Sequence, residues 1–216
     1  MFYDFTKRTI DIVGTIFALL FFSPIIVAVA LFIKLTSLGP ILYSPVRVGK
    51  DGKLFAMLKF RSMYMYEING QLVHAEKYLK SNPKLMRQYQ KNSYKLKKDP
   101  RITPIGKFLR KFSLDELPQL INVVKGEMSL VGPRAYQKDE LVHQQKIYPQ
   151  TVKYVKVILK VRPGASGPWQ VSGRSFINFD KRVEMDANYI KRRSLLYDLW
   201  IIIKTPIVMI TSKGAI

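Results

Sequence analysis

The sequence predicts a mixed α/β fold, built as a single monotopic membrane domain that enters one leaflet through a re-entrant helix. The run Ile12–Ile33 is uncharged and, at 22 residues, long enough to reach across a bilayer core. Pro24, preceded by Ser23 at the centre of this run, lacks a backbone N–H and breaks or kinks a helix. Basic residues flank the run on both sides, and such residues favour the cytoplasmic face. We therefore expect a helix–break–helix within residues 1–36, with both ends on the cytoplasmic side.

The composition suits a protein at the surface of an anionic membrane. Lys and Arg total 36 against 15 acidic residues, a net charge of +21, in a chain that is 48% hydrophobic. Each basic residue near anionic lipid contributes about 1 kcal/mol. The same charge is compatible with nucleic-acid binding, so charge alone does not identify the partner. The absence of cysteine and the presence of only two histidines exclude a thiolate metal site and argue against zinc.

Residues 37–216 are enough for one domain with a sizeable core. Two apolar runs on either side of 49–52 predict a β-hairpin, because Asp51-Gly52 supplies the positive φ angles of a turn. Pro45 places the first of these strands at a sheet edge. The polar stretch 68–98 predicts a surface helix followed by a connector.

Helices dominate the rest of the predicted domain. A short basic helix begins at Thr103-Pro104 and ends at Lys111. The segments predicted after it are a helix closed by Gly126, a short buried strand at 128–131, one or two helices in 140–161, a Gly- and Pro-rich loop over Arg162–Arg174 and a helix over Phe179–Arg193. Tyr197–Ile210 is apolar, contains Pro206 and is too short to span a bilayer. It predicts an interfacial amphipathic helix, with a buried core helix as the alternative.

Asp115 and Glu116 are the strongest candidates for a reactive site. Pro118 fits the first position of a helix, which places the two adjacent carboxylates in the approach to that helix. Nearby cations, among them Arg110, lower the pKa of a carboxylate and also attract phosphate. One carboxylate as a nucleophile and the other as a Mg²⁺ ligand would suit attack on phosphorus. The alternative is a helix cap, because Ser113 and Glu116 also match a capping box.

Besides Arg110, three basic side chains are candidates to bind phosphate. Arg134 follows the rigid Gly132-Pro133 turn, and a planar guanidinium can bind two phosphate oxygens at once. Lys59 and Arg61 are alternate residues of a predicted strand and therefore share a face. For both residues a solvated basic edge is the alternative.

Two further residues complete the set of candidate substrate ligands. Asp186 lies on the apolar face of the helix that begins at Phe179. A carboxylate there needs a partner or a cation, and a structural pair with an arginine is the alternative to a role in the site. Arg174 ends the Gly- and Pro-rich loop.

The motifs of this chain resemble those of the bacterial sugar transferases called polyprenyl-phosphate phosphoglycosyl transferases, in their small monotopic form. The matching motifs are KRTIDI (Lys7–Ile12), the pair Ser23-Pro24, IKLTSLGPILY (Ile33–Tyr43), RVGKDGKLF (Arg47–Phe55), KFRSM (Lys59–Met63), DPRITPIGKFLRK (Asp99–Lys111), the segment Ser113–Arg134 and RPG (Arg162–Gly164). They occur in the family's order and cover most of the chain. Two positions depart from the family pattern, Pro45 where glutamine is frequent and Ala135 where proline is usual.

The resemblance implies a function and roles for particular residues. It implies transfer of a sugar-1-phosphate from a UDP-sugar to a polyprenyl phosphate such as undecaprenyl phosphate, with release of UMP, as the start of membrane glycoconjugate assembly. Asp115 would be the nucleophile on the β-phosphate and Glu116 would help to hold Mg²⁺. Lys59, Arg61 and Arg134 match basic positions that handle phosphate. The implied location is the cytoplasmic face of a bacterial inner membrane, and the end of the chain favours a plain hexose.

Two other classes of function remain open at this point. One is a membrane-anchored nucleic-acid-binding protein, whose affinity would fall steeply with salt. We expect no nucleic-acid partner, because the sequence contains no evident recognition helix or aromatic RNA-binding signature. The other is a non-catalytic scaffold on anionic lipid. The sequence does not give the sugar, the lipid length or the pathway, and it is compatible with an oligomer.

Overall fold

The protein has a helix-rich mixed fold, in which one 35-residue helix precedes shorter helices and small sheets. The structure is a computed structural model and describes residues 2–91, 96, 99–173 and 176–211. The helices are α1 (Phe2–Thr36), α2 (Ala75–Ser81), α3 (Pro83–Lys91), α4 (Pro104–Lys111), α5 (Gln119–Lys125), α6 (Lys138–Ile147), α7 (Val152–Ile158), α8 (Pro168–Ser172), α9 (Phe179–Arg192) and α10 (Leu195–Thr211). The strands are β1 (Leu42–Tyr43), β2 (Val46–Val48), β3 (Leu54–Ala56), β4 (Lys59–Phe60), β5 (Met65–Ile68), β6 (Gln71–His74), β7 (Ser129–Val131) and β8 (Gly164–Ser166). Residues 37–211 are called the globular body below.

The sequence predicts a break at Ser23-Pro24, but helix α1 continues through Pro24 without interruption of its secondary structure. Pro24 has no N–H to donate to the carbonyl of Leu20, and the Ser23 hydroxyl donates to that carbonyl instead, at 2.8 Å. Only 11% of the most apolar window of α1 is buried, which distinguishes it from a core helix. Within the described part of the chain it is the one helix long and apolar enough to cross a membrane.

The N-terminal end of α1 is fastened to the globular body by Asp11 and Arg8. Asp11, which is 3% exposed, accepts hydrogen bonds from the Ser129 hydroxyl at 2.7 Å and the Leu130 N–H at 3.0 Å. Arg8 donates to two carbonyls in the last turn of α5, at 2.8 and 3.0 Å. Carbonyls at a helix C-terminus lack intrahelical partners and carry partial negative charge. Arg8 therefore caps α5 and ties α1 to it.

A buried carboxylate, Asp198, makes a second attachment at the N-terminal end of α1. It accepts hydrogen bonds from Lys7 Nζ at 2.8 Å and from the hydroxyls of Tyr3 and Tyr189 at 2.9 and 2.6 Å. These donors come from α1 and α9, while Asp198 belongs to α10. The first turns of α1 are thus joined to two helices of the globular body.

Arg61 fastens the C-terminal end of α1. Its guanidinium is only 2% exposed and donates to the carbonyls of Ser37, Leu38 and Pro40, at 2.5–3.0 Å. Ile33, which is fully buried, belongs to the same hydrophobic cluster as side chains of β4 and α4. Both ends of α1 are therefore attached to the globular body.

The predicted hairpin around Asp51-Gly52 is confirmed. Strands β2 and β3 pair antiparallel, and Asp51 and Gly52 adopt φ angles of 56° and 77° in the turn. Strand β1 pairs with β4, which sets Tyr43 opposite Lys59. This pairing matters for the site, because it brings a ring next to the lysine.

The polar stretch 68–98 differs from the prediction in its first part. A second hairpin, β5–β6, turns at Asn69-Gly70 before α2 and α3 begin. Asn-Gly is a strong hairpin signal, but the polarity of the surrounding residues favours a surface helix and connector in the sequence-based prediction. Residues 92–95 and 97–98 of this stretch lie outside the described part of the chain.

The Gly- and Pro-rich loop predicted over Arg162–Arg174 contains regular structure. Strand β8 lies in it and pairs in parallel with β7, the predicted strand, and helix α8 follows. The backbones approach closely here, because a Cβ at Gly132 would come within 2.7 Å of the Arg162 carbonyl oxygen and the Gly164 nitrogen. Glycine at these positions lets the turn after β7 pack against the strand β8.

The apolar end of the chain forms α10, which continues through Pro206. Asp198 and Ile201 are buried, while Leu196, Ile203 and Ile210 are 80%, 60% and 74% exposed. A buried core helix, the alternative considered from sequence, is excluded by these exposures. One side of α10 packs on the globular body and the other presents apolar side chains.

Arg61→Ala is expected to destabilise the protein by at least about 3 kcal/mol, because three carbonyls just after the end of α1 lose their donor. Arg61→Lys should recover little, since one ammonium cannot reproduce the planar fork. The free energy of unfolding in detergent micelles measures both effects. Arg87→Ala, at an exposed position of α3, is the control and should change it by under about 0.5 kcal/mol. A similarly small change for Arg61→Ala would contradict the proposed anchoring role.

Candidate active site

A cleft of about 330 Å³ opens between the two hairpins, the turn before α5 and the turn after β7. Its charged lining residues are the cations Arg47, Lys59, Arg101, Arg110 and Arg134 and the carboxylates Glu76, Asp115 and Glu116. Low-dielectric walls with an excess of one charge attract the opposite charge. The cleft is therefore suited to an anionic ligand.

Asp115 and Glu116 lie in a short 3₁₀ turn, Leu114–Glu116, between α4 and α5. Lys59 Nζ lies 2.6 Å from Glu116 Oε1 and 3.7 Å from Asp115 Oδ2. The sequence-predicted pair and the predicted lysine are thus brought together. Ser113 has a φ angle of 54° and its side chain does not cap the turn, so the capping-box alternative is not what the structure forms.

Asp115 is the most deeply buried of the three cleft carboxylates, at 8% exposure. Burial raises the pKa of Asp115 above its ordinary value, and the Lys59 ammonium opposes this increase. Adjacent Glu116 raises the pKa of Asp115 further, because a second negative charge disfavours ionisation. The result is a poorly hydrated carboxylate whose ionised form depends on Lys59.

The two arginines on the α4 side of the cleft already have partners. Arg110, a predicted phosphate ligand, lines the cleft and donates from Nε to the Ser62 hydroxyl at 2.9 Å. Arg101 is paired with Asp99 at 2.6 Å. The Nε bond of Arg110 fixes its guanidinium while leaving the terminal nitrogens for a ligand.

Arg47 and Arg134 face the cleft, and in the described part of the chain no carboxylate oxygen lies within 4.0 Å of their guanidinium nitrogens. The Arg134 guanidinium lies 4.8 Å from the centre of the Trp169 ring, so it is held by stacking and is not an exposed turn arginine. Burial and the neighbouring Arg134 charge lower the pKa of Arg47 to about 10. A bound anion would relieve this repulsion. Sequence reasoning missed Arg47, although the RVG motif contained it.

Asp186 positions Arg134 without entering the cleft. It is fully buried, and its Oδ2 accepts a hydrogen bond from the Arg134 backbone N–H at 3.0 Å. The sequence predicts either a role in the site or a structural pair with an arginine. The structure forms the pair with an arginine, through the main-chain N–H of Arg134, and this hydrogen bond holds the turn that presents Arg134. Burial raises the pKa of Asp186 from 3.8 to about 7.

The remaining predicted ligands are not brought to the cleft. Arg61 does not line it, and main-chain carbonyls occupy the Arg61 guanidinium. Its contacts correct the expectation that Arg61 handles phosphate: strand β4 ends at Phe60, so the alternation that would place Arg61 beside Lys59 stops there. Arg174 lies outside the described residues. Sequence reasoning also missed the cleft residues His74, Glu76 and Tyr89, which come from the stretch predicted to be a surface helix and connector.

The fold and the site together define a class of protein. Its members have an apolar helix attached at both ends to a globular body, and a basic cleft around a buried carboxylate. A sequence profile of the bacterial sugar transferases matches residues 2–212. The chain therefore belongs to the bacterial sugar transferase family.

Three relatives illustrate the similarity. The undecaprenyl-phosphate galactose phosphotransferase of Salmonella typhimurium is 46% identical over 212 residues, 98% of this chain and 42% of that protein. The exopolysaccharide production protein ExoY of Sinorhizobium fredii is 40% identical over 210 residues, 97% of this chain and 88% of that protein. The UDP-glucose:undecaprenyl-phosphate glucose-1-phosphate transferase of Escherichia coli is 37% identical over 214 residues, 97% of this chain and 41% of that protein. The chain thus spans less than half of two relatives and most of ExoY.

Asp186→Asn is expected to remove a pH dependence of stability. The pKa of Asp186 is raised in the folded state, so the folded protein retains a proton that the unfolded chain releases near pH 4. As the pH rises from 4 to 7, the wild type should lose about 2–4 kcal/mol of stability relative to Asp186→Asn. Urea unfolding at several pH values tests this, with the exposed Asp139→Asn as the control. Parallel pH curves for the wild type and Asp186→Asn would contradict it.

Proposed function

We propose that the protein transfers a sugar-1-phosphate from a UDP-sugar to a polyprenyl phosphate and releases UMP. The observation that carries this is Asp115, a buried carboxylate beside Lys59 in a cleft with an excess of cations. The relatives named as undecaprenyl-phosphate sugar phosphotransferases support the substrate class. The sugars in the names of these relatives, galactose and glucose, support a hexose. Such a transfer would initiate assembly of a membrane glycoconjugate.

The proposed reaction has two displacements at one phosphorus. Asp115 Oδ attacks the β-phosphorus of the donor, and the bond from that phosphorus to the bridging oxygen breaks, so UMP leaves with the electron pair. A phosphate oxygen of the polyprenyl phosphate then attacks the same phosphorus and expels the Asp115 carboxylate. The lipid diphosphate sugar is the product and the enzyme is regenerated. A covalent intermediate means that the soluble donor and the lipid acceptor need not be bound together.

Four of the five cleft cations have a role in this scheme. Lys59, between the two carboxylates, keeps Asp115 ionised and stabilises the charge that develops at the phosphorus. Arg110 and Arg134 bind phosphate oxygens, Arg110 from a position fixed by Ser62 and Arg134 from its stack on Trp169. Arg47 adds charge next to Arg134. Together they hold the diphosphate in line with Asp115.

Glu116 is the proposed protein ligand for Mg²⁺. Mg²⁺ in nucleotide enzymes is held by one or two carboxylates together with substrate phosphates. Glu116, more exposed than Asp115, suits this arrangement. The described residues contain no cluster of three metal-binding side chains, which fits an ion that shares its ligands with the donor. When bound, the ion neutralises negative charge on the diphosphate.

We also propose that residues 1–36 form a re-entrant membrane anchor and that residues 37–216 form the cytoplasmic catalytic domain. The attachment of both ends of α1 to the globular body supports this topology, because such a helix can enter and leave on the same side. The exposed apolar side chains of α1 and α10 would contact lipid, with α10 at the interface. The basic surface would favour anionic lipid in the cytoplasmic leaflet of a bacterial inner membrane.

Asp115→Asn is expected to lower turnover by at least about a thousandfold, because an amide is a poor nucleophile. With the wild type, a donor supplied without acceptor should leave a phospho-sugar on Asp115, detected by mass spectrometry of the intact protein and its peptides. UMP release measures turnover. Asp139→Asn is the matched control and should behave as wild type. Full activity of Asp115→Asn would exclude the mechanism.

Arg134→Lys is expected to cost about 1.5–3 kcal/mol of transition-state stabilisation, seen as a lower kcat/KM. Lysine keeps the charge but loses both the two-point phosphate contact and the stack on Trp169. UMP release at several donor concentrations measures it. Arg87→Lys, at an exposed position, is the control. Near wild-type turnover would show that Arg134 is not a bidentate clamp, and a parallel loss of folding would show that its role is structural.

A further inference from the structure

One wall of the cleft presents hydrogen-bonding groups that are not cations. This wall is formed by the end of β6 and the start of α2, and its side chains are His74 and Glu76. Both are partly exposed to the cleft. A carboxylate here opposes the binding of a phosphate at the same place. The wall is therefore built for a part of the ligand that is not anionic.

His74 is a neutral hydrogen-bond donor. Its Nδ1 accepts a hydrogen bond from the Glu76 backbone N–H at 3.2 Å, which leaves the ring proton on Nε2. Burial, reinforced by nearby arginines such as Arg110, lowers the pKa of His74 to about 4. The ring is held flat against Tyr43, with 3.7 Å between the ring centres. At neutral pH His74 thus offers a fixed Nε2–H.

The Glu76 carboxylate can accept more hydrogen bonds than the one from Gln137. The amide of Gln137 donates to Glu76 Oε1 at 3.2 Å, which fixes the carboxylate. No lysine or arginine lies within 4.0 Å of it in the described part of the chain. A carboxylate has about four acceptor sites, so Glu76 can still accept from hydroxyl groups of a ligand. The pair His74–Glu76 matches a hydroxyl, which accepts and donates at once.

The wall lies close to the reacting end of the cleft. His74 stacks on Tyr43, and Tyr43 lies opposite Lys59 in the β1–β4 pair. Lys59 in turn contacts Asp115. Two side chains, Tyr43 and Lys59, thus connect the wall to the proposed nucleophile. The group attached to the phosphorus that Asp115 attacks is the sugar, which places a hydroxyl-rich ring within reach of the wall.

We propose that Glu76 and His74 bind hydroxyl groups of the donor sugar and are specificity-determining residues of this site. Glu76 accepts from one or two hydroxyls, and His74 Nε2–H donates to a hydroxyl oxygen. A buried site that hydrogen-bonds a hydroxyl rejects analogues that lack it, because its own groups are then left unpaired. This inference rests on the proposed function, since it needs a sugar diphosphate in the cleft.

The test compares the binding of UDP with that of UDP-glucose and UDP-galactose. An Asp115→Asn background prevents turnover, and calorimetry in detergent micelles gives the dissociation constants. Glu76→Gln in this background should weaken the preferred UDP-hexose by about tenfold or more, the loss expected for a hydrogen bond to a charged group. Affinity for UDP should stay within about twofold, because UDP lacks the sugar. Glu67→Gln, exposed on the neighbouring strand β5, should change neither.

Deoxy analogues of the preferred sugar identify the hydroxyl. One analogue should bind the background protein about tenfold more weakly than the parent sugar, yet should lose little more with Glu76→Gln, the signature of a direct contact. Equal weakening of UDP and UDP-hexose by Glu76→Gln, or no weakening, would overturn the inference. Should Glu76→Gln fail to fold, the analogue series on the background protein decides: indifference to every hydroxyl would overturn it. If the background protein binds neither UDP nor any UDP-hexose while folded, the proposed function fails as a whole.

Discussion

The attachment of both ends of α1 to the globular body is the constraint on which the rest of the structure depends. At a rise of 1.5 Å per residue, a straight helix of this length would extend about 52 Å. Yet Asp11 near one end bonds to β7, and Arg61 holds the chain just beyond the other. The uncharged middle of α1, with Ser23-Pro24, lies between these two attachments and is mostly exposed. Both ends of α1 are therefore attached to the same globular body.

The anchoring residues are also neighbours of the site. Arg61 lies two residues after Lys59, and the β7 residues bonded to Asp11 lead through Gly132 to Arg134. The parallel pairing of β7 with β8 then packs the Arg134 turn against the segment that carries Trp169. A shift of α1 would therefore act on both the lysine and the arginine of the cleft. The contacts of the apolar helix and the cations of the cleft share one framework, which suits a protein whose proposed acceptor is a lipid.

Local patterns predicted much of this arrangement, while long-range partners escaped them. Thr103-Pro104 begins a helix and Asp51-Gly52 forms a hairpin turn, because both depend on local geometry. The clustered charges predicted a site, and these predicted residues do meet in one cleft: Asp115, Glu116, Lys59, Arg110 and Arg134. The pairing of β7 with β8 joins residues far apart in sequence and leaves no local signal. The partners of Arg61 are main-chain carbonyls, which a sequence pattern does not locate. Asp186 does form its expected pair with an arginine, but through the main-chain N–H of Arg134.

Labelling of single cysteines tests the central claim, that both ends of α1 lie on the same side of the membrane, most directly. The chain has no cysteine of its own, so a thiol placed at Phe5, Phe21 or Lys53, all exposed, reports alone. Both Phe5→Cys and Lys53→Cys should resist an impermeant maleimide in intact cells and react after permeabilisation, while Phe21→Cys stays protected by lipid in each case. Reaction of one flank in intact cells and of the other only after permeabilisation would contradict the account.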